Sequence, residues 1–456
     1  MSAKTAKKSI DMTQGSILKK VLLFALPLML GNLLQLLYNA ADLIVVGRFA
    51  GSNATASVGS TAAISGLIVN FCIGISVGAS VIVSRFFGAK NSQGVHRSVH
   101  TAMALSVVAG LVAMTLGLIF TRPLLTLMGT PKGAVLEGAT LYMRIFFLGV
   151  PASMVYNFGA SILRAVGDSK RPLYILSVSG IINVALNLVI VIVFHLGVAG
   201  VAIATAVSHY VSAAAVVFFL VKTSEMYKLN LKKIRFYKEE LTDSLKIGIP
   251  AGVQSSVFSL ANSVIQSAVN SFGAVAMAGN AAAGNIEGFV YTAMNAFYQA
   301  TLTSTSQNYG AKQEKRIYRT MKVCLLAVTV TGLVLGALSV IFAKPLLGIY
   351  ITDSQDAIDF GVTRMLYMGL PYFLCGIMEV MAGVLRGTGH SNLGMVNSLL
   401  GACGMRILWV TLVLPLKHIP EVLFLCWPIS WIVVIAMHTI GFLVVRKHTM
   451  LTMRTQ

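Results

Sequence analysis

Three carboxylates in this 456-residue chain, Asp42, Glu287 and Glu379, fall inside long apolar runs. A carboxylate in hydrocarbon costs several kcal/mol unless it turns towards partners, so each is a candidate for ion or ligand chemistry. Asp42 lies in the stretch 33–49 of a run that begins near Ile17. At helical spacing it shares a face with Tyr38 and Gln35, while Leu36, Leu37, Leu43 and Ile44 point elsewhere. Asn183 and Asn187, one turn apart, and Thr205 occupy two later runs. At 1.5 Å per residue, Asp42 lies ~5–10 Å, Asn187 ~12 Å and Thr205 ~10 Å inside the outer ends of their helices. Four oxygen-bearing side chains at similar depth could keep a proton on Asp42 or surround a small hard cation such as Na⁺. The plainer reading is that the two amides and the hydroxyl tie helices together by hydrogen bonds.

Glu287 and Glu379 belong to the second half of the chain. Facing a cavity, either could attract a cationic substrate. For Glu379 the competing expectation is an ion pair with Arg386 or Arg406, whereas the sequence offers Glu287 no evident cation. Met294 and Tyr298, two and three turns beyond Glu287, would add soft, adaptable contacts to a substrate cavity. Core packing accounts for them almost as well.

The elements that must position these groups are helices in a membrane. Hydrophobic residues make up 56% of the chain and charged residues 11%, with a mean hydropathy of +0.80, far more apolar than a soluble domain. Apolar segments of about 20 residues recur about twelve times. They are too long and uniform for the alternating strands of a membrane barrel. The expected fold is an all-α integral membrane protein.

The net charge of +20 reads as a topology signal and excludes nucleic acid as a partner. Lys4, Lys7, Lys8, Lys19 and Lys20 open the chain. Lys222, Lys228, Lys232, Lys233, Arg235, Lys238 and Lys246 fill the sixth connection, and Lys312, Lys315, Arg316, Arg319 and Lys322 the eighth. Such a bias places both termini on the cytoplasmic side of the cytoplasmic membrane. The basic start carries no cleavage site, so the first span is expected to stay in the mature protein. Five cysteines, Cys72, Cys324, Cys375, Cys403 and Cys426, fall within spans without metal-ligand spacing and read as core.

The chain repeats itself. Ser84-Arg-Phe-Phe-Gly88-Ala-Lys90 returns as Ser306-Gln-Asn-Tyr-Gly310-Ala-Lys312, and Phe120-Thr-Arg-Pro123 as Phe342-Ala-Lys-Pro345, both 222 residues on. Two pseudo-symmetric six-helix bundles follow, residues 1–221 and 247–456, joined by a basic cytoplasmic linker over 222–246 that reads as a solvated tether on anionic headgroups. An even number of spans per half makes the repeat parallel, which puts a cavity between the bundles. Pro27 aligns with Pro250, so Asp42 aligns with Ile265, beside Gln266. Titratable chemistry on this helix pair is confined to the first half.

Pro27, Tyr38-Asn39-Ala-Ala-Asp42, Arg164-Ala-Val-Gly167-Asp168, Gly197-Val-Ala-Gly200-Val-Ala-Ile-Ala-Thr205 and Leu385-Arg386-Gly-Thr-Gly389, in this order on a duplicated chain, resemble the multidrug and toxic compound extrusion (MATE) transporters. The resemblance covers essentially the whole chain. It implies a cation-coupled exporter of organic, usually cationic or amphipathic, compounds, built as two six-helix lobes around a V-shaped cavity. In the branch named after a DNA-damage-inducible homologue, an Asp on helix one, Asn and Asp on helix five and Thr on helix six form the ion site. Asp42, Asn183 and Thr205 match, and Asn187 stands where the second Asp would be. In the NorM branch a Glu on helix seven and an Asp on helix ten act in the second lobe. Span seven here has no acid, and Glu379 lies a turn from the helix-ten position. The chain therefore falls nearer the first branch, or a Gram-positive-type branch.

The expected activity is export of small organic compounds by alternating access, driven by H⁺ or Na⁺ at Asp42, with membrane lipids around a protein working as a monomer and no bound cofactor or metal. A lipid-precursor or metabolite flippase of related design is the alternative; it would favour several cationic residues in the cavity. No nucleophile with a base and no His and carboxylate cluster suggests an enzyme. No phosphate-binding loop suggests ATP as the driver.

Overall fold

The computed structural model describes residues 9–49, 51–352 and 354–455; Lys4, Lys7 and Lys8 lie outside them. Twelve long helices follow one another: α1 (Ile17–Phe49), α2 (Ser52–Gly88), α3 (Ser92–Leu127), α4 (Ala134–Ala165), α5 (Lys170–Val193) and α6 (Gly197–Lys222) in the first half, then α7 (Lys238–Asn270), α8 (Ala274–Gly310), α9 (Glu314–Ile341), α10 (Gln355–Gly369 and Tyr372–Gly387), α11 (Ser391–Leu416) and α12 (Pro420–Thr455). Among the described residues there is no strand. Among the described residues, nine of these helices are each long and apolar enough to cross a membrane, and α10, bent by 42° between its two pieces, makes a tenth. The other two, α7 and α8, span 33 and 37 residues, ample for a bilayer. They miss the mark because polar groups such as Gln254, Asn262 and Gln266 on α7 and Asn280, Glu287 and Asn295 on α8 interrupt them.

The chain divides into two compact units, one built on Leu30–Gly252 and the other on Asp11–Met29 with Val253–Gln456. The division runs through α1 and α7, not through the connection 222–246. Helices of 33 residues are about 50 Å long, so their two ends can bury apolar surface in different bundles, which a partition by repeat does not anticipate.

In the first unit α4 is the central helix, with Met143, Phe147, Met154 and Phe158 fully buried. Glycines on α3 let it approach: a Cβ at Gly110 would stand 2.7 Å from Pro151 Cα. The basic linker is no loose tether. Leu229 N donates to Leu220 O (2.8 Å), Asn230 N to His100 Nε2 (3.0 Å) and Tyr237 N to Thr101 Oγ1 (3.1 Å), so main-chain donors pin it to α3 and α6.

The second unit also holds the residues before α1. Met12 is buried, its N donates to Gln307 Oε1 (2.8 Å), and Arg316 donates to the carbonyls of Met12 (2.9 Å), Gln14 (2.7 Å) and Gly15 (2.9 Å). A residue counted from sequence only as a topology charge thus clamps the chain's entry into α1.

Candidate functional site

The polar face of α1 meets α5. Asn187 Nδ2 donates to Asp42 Oδ1 in a short hydrogen bond, and also lies 3.4 Å from Asn183 Oδ1. Asn187 is fully buried, Asn183 nearly so, and Asp42 partly buried. The i, i+4 spacing of the two amides puts both on one face of α5, and the carboxylate and two amides form one continuous chain. Among the described residues, Asn187 Oδ1 and Thr205 Oγ1 are buried without a hydrogen-bond partner. Leaving a buried acceptor unpaired costs about 1–3 kcal/mol. Asn187, whose amide nitrogen holds the carboxylate, thus keeps an unused acceptor next to it.

Immediately after Asn187, α5 widens into a π turn over Val189–Val193. Such turns gather at functional sites. The run of Val and Ile, stiff at χ1 and poor in helix propensity, is the sequence signal that could have found it. Val45, Val46, Val191 and Val201 are buried around the C-terminal ends of α1 and α5 and the N-terminal end of α6, with Tyr142 of α4 packed against them, an aromatic neighbour that sequence reasoning missed.

Tyr38 is tied to α5 through its hydroxyl, which donates to Ser177 O at 3.3 Å, and its ring fills the space above Gly180, where any Cβ would collide with it. Gly180→Val should push Tyr38 off α5 at a cost of about 1–3 kcal/mol. The expected result is a several-fold drop in export rate by the reconstituted protein, while Tyr38→Phe, which keeps the packing, exports at close to the parental rate. Gln35 is exposed and has no hydrogen bond among the described residues.

The candidates in the second half fare differently. Glu287 does have a cation: Arg364 of α10 donates from Nε to both carboxylate oxygens (3.2 Å each) and from a terminal nitrogen to Oε2 (2.7 Å). Arg364 also donates to Asn280, whose amide donates to Gln266 Oε1 at 3.1 Å. Glu287 is 3% exposed. The expectation of an unpaired, substrate-facing carboxylate is therefore corrected, because α10 carries its arginine onto the face of α8. Met294 is fully buried against Gly376, and the Tyr298 hydroxyl accepts from Arg386 (2.5 Å). Both serve the packing of α8 on α10 rather than an open wall. Glu379 is half-buried and makes no ion pair within 4.0 Å with Arg386 or Arg406. Among the described residues, no group of three His, Cys, Asp or Glu could hold a metal ion.

The chain is 29% identical over 412 residues, 88% of its length and 87% of the relative's, to the "Probable multidrug resistance protein YoeA" of Bacillus subtilis. It is 23% identical over 423 residues, 93% and 91% of the two chains, to the "Multidrug export protein MepA" of Staphylococcus aureus. A solved structure described as an outward-facing conformation of a multidrug resistance MATE family transporter superposes with a TM-score of 0.87 at 22% identity, over 99% of this chain and 100% of that one. The likeness confirms the fold, a two-lobe assembly of membrane helices. The MatE family model matches twice, over residues 27–189 and 250–411. The two matches begin at Pro27 and Pro250, the prolines that align the two halves of the repeat, and together they cover most of the chain, which belongs to the MatE family of multidrug-efflux membrane transporters.

Proposed function

We propose that the protein is a proton-coupled antiporter that exports organic, cationic or amphipathic compounds across the cytoplasmic membrane by alternating access between two six-helix lobes, with both termini in the cytoplasm. The observation that carries this reading is the hydrogen bond between Asp42 and Asn187, whose own Oδ1 has no partner among the described residues. Ionised, the carboxylate accepts from the Asn187 amide. Protonated, it becomes a donor, and rotation of the same amide offers it Asn187 Oδ1 as acceptor. One proton thus reverses the polarity of the α1–α5 contact, which gives a helix rearrangement something to respond to.

Na⁺ would also neutralise the single charge, yet it must replace its hydration with several well-placed oxygens, and Asn183 Oδ1 already faces the Asn187 amide. Export of organic compounds is further supported by the relatives named for multidrug export and resistance. The test is efflux from proteoliposomes with the two gradients imposed separately. A pH gradient should drive export and a Na⁺ gradient at clamped pH should not. The reverse result would replace the proton by Na⁺ at the same residues, and export driven by neither would overturn coupling at Asp42.

A further inference from the structure

Between Met226 and Lys238 the connection from α6 to α7 carries five basic residues and no acid. How it is fixed to the first unit decides which way they face. Tyr227 is fully buried, its hydroxyl accepting from Arg171 of α5 (3.1 Å), and Leu229 is buried in the same cluster. With these side chains and the main-chain donors of Leu229, Asn230 and Tyr237 turned inward, Lys228, Lys232, Lys233, Arg235 and Lys238 are left exposed. Arg235 stacks 4.6 Å from the centre of the Tyr237 ring, which steadies its donor edge. Glu240, just beyond the segment, is buried and faces Arg97 at 3.9 Å, so it does not neutralise this surface.

Two large apolar side chains share the charged surface, Leu231 at 58% and Phe236 at 45% exposure. A cavity of about 470 Å³ opens here, walled by Val221 at the end of α6, His96 of α3 and the run Lys228–Lys232. Its size falls among small-ligand sites. Three positions before Val221, Phe218 is exposed on a membrane helix, with Lys222 Nζ 5.3 Å from its ring. A lysine that follows an exposed aromatic at the end of a span reaches for the interface, so the cavity lies where acyl chains give way to head groups.

We infer that this cleft binds one acidic phospholipid, its phosphate held by Lys228, Lys232 and His96 and its upper acyl methylenes by Val221 and Leu231. The mixture of exposed Leu231 and Phe236 with lysines suits a lipid and not a soluble anion, and a zwitterionic lipid leaves the positive charges unanswered. A loose basic tether would gather acidic lipids diffusely. A backbone fixed by main-chain bonds presents its lysines in one arrangement and selects a single lipid. The inference rests on the proposed cytoplasmic termini only for which leaflet supplies that lipid.

Native mass spectrometry of the purified full chain, titrated in detergent with phosphatidylglycerol or phosphatidylcholine, counts the bound lipids and measures their affinity. The parental chain should hold one phosphatidylglycerol at least tenfold more tightly than phosphatidylcholine. Lys228→Gln with Lys232→Gln should weaken phosphatidylglycerol about tenfold and leave phosphatidylcholine unchanged. Lys315→Gln with Lys322→Gln, which removes the same charge from α9, should change neither. All four lysines are exposed, so folding is not at stake. Equal affinity of the parental chain for the two lipids overturns the inference. So does an equal loss of phosphatidylglycerol in both lysine pairs, which makes the attraction diffuse, and so does displacement of the lipid by glycerol 3-phosphate, which makes the cleft a site for a soluble phosphate. None of these readouts needs transport. Labelling of a Lys233→Cys variant from outside sealed vesicles would count against the proposed topology alone, moving the bound lipid to the other leaflet.

Discussion

Asp42→Asn should abolish gradient-driven efflux while leaving the protein folded. The substituted amide has the same shape and keeps an oxygen for Asn187 Nδ2 to donate to, so the contact between α1 and α5 survives at little cost. What disappears is the alternation between a charged acceptor and a neutral donor. Without it neither an incoming proton nor a cation changes the energy difference between the two arrangements of the helix pair, and a ligand that does not discriminate between two states cannot shift them. The measurement is dye efflux from proteoliposomes under an imposed gradient, with the melting temperature as control. Efflux should fall to the level of protein-free vesicles, with melting within a few degrees of the parental protein. Undiminished gradient-driven export would remove Asp42 from the coupling role. Asn187→Leu, which takes away the donor and the spare acceptor together, should lower the rate but leave a gradient response, because the titrating group remains.

Much of this site was legible in the sequence because its logic is local. A carboxylate on the polar face of an apolar helix and two amides at i, i+4 on another can be picked out by helical periodicity alone, and the structure joins these three, Asp42, Asn187 and Asn183, while no hydrogen bond among the described residues joins the Thr205 hydroxyl to them. The twelve helices were legible for the same reason, as was the doubling of the family match at Pro27 and Pro250. The hidden features depend on tertiary placement. Arg316 clamps main-chain carbonyls of residues 12–15, which any side chain would present equally, so composition carries no trace of it. The linker is fixed by backbone donors to His100 and Thr101, again blind to its lysines. Glu287 is the sharpest case: its arginine stands 77 positions away on a helix whose rotation no periodicity fixes. The repeat could not help either, since at the 222-residue spacing Glu287 falls on Ser65, and Arg144, the counterpart of Arg364, is exposed.

That pair sets the second large expectation, on stability. Glu287→Gln should lower the melting temperature markedly and depress export of cationic and neutral dyes alike. Arg364 is 14% exposed at its side chain and Glu287 4%, so removing the carboxylate leaves a guanidinium with little water to receive it; breaking such a buried pair costs about 3–5 kcal/mol. The damage spreads along the chain of bonds from Arg364 through Asn280 to Gln266, which links α10, α8 and α7. Arg364→Met alone should be as harmful, because it strands Glu287. The double variant Glu287→Gln with Arg364→Met should recover at least half of the loss, since two neutral side chains of similar volume need no compensation. Thermal unfolding of the three variants in detergent, followed beside dye export, measures both effects. A selective loss of cationic dyes in Glu287→Gln at unchanged melting temperature would place this carboxylate in contact with substrate. Equal losses that the second substitution reverses would make it a fastener between α8 and α10.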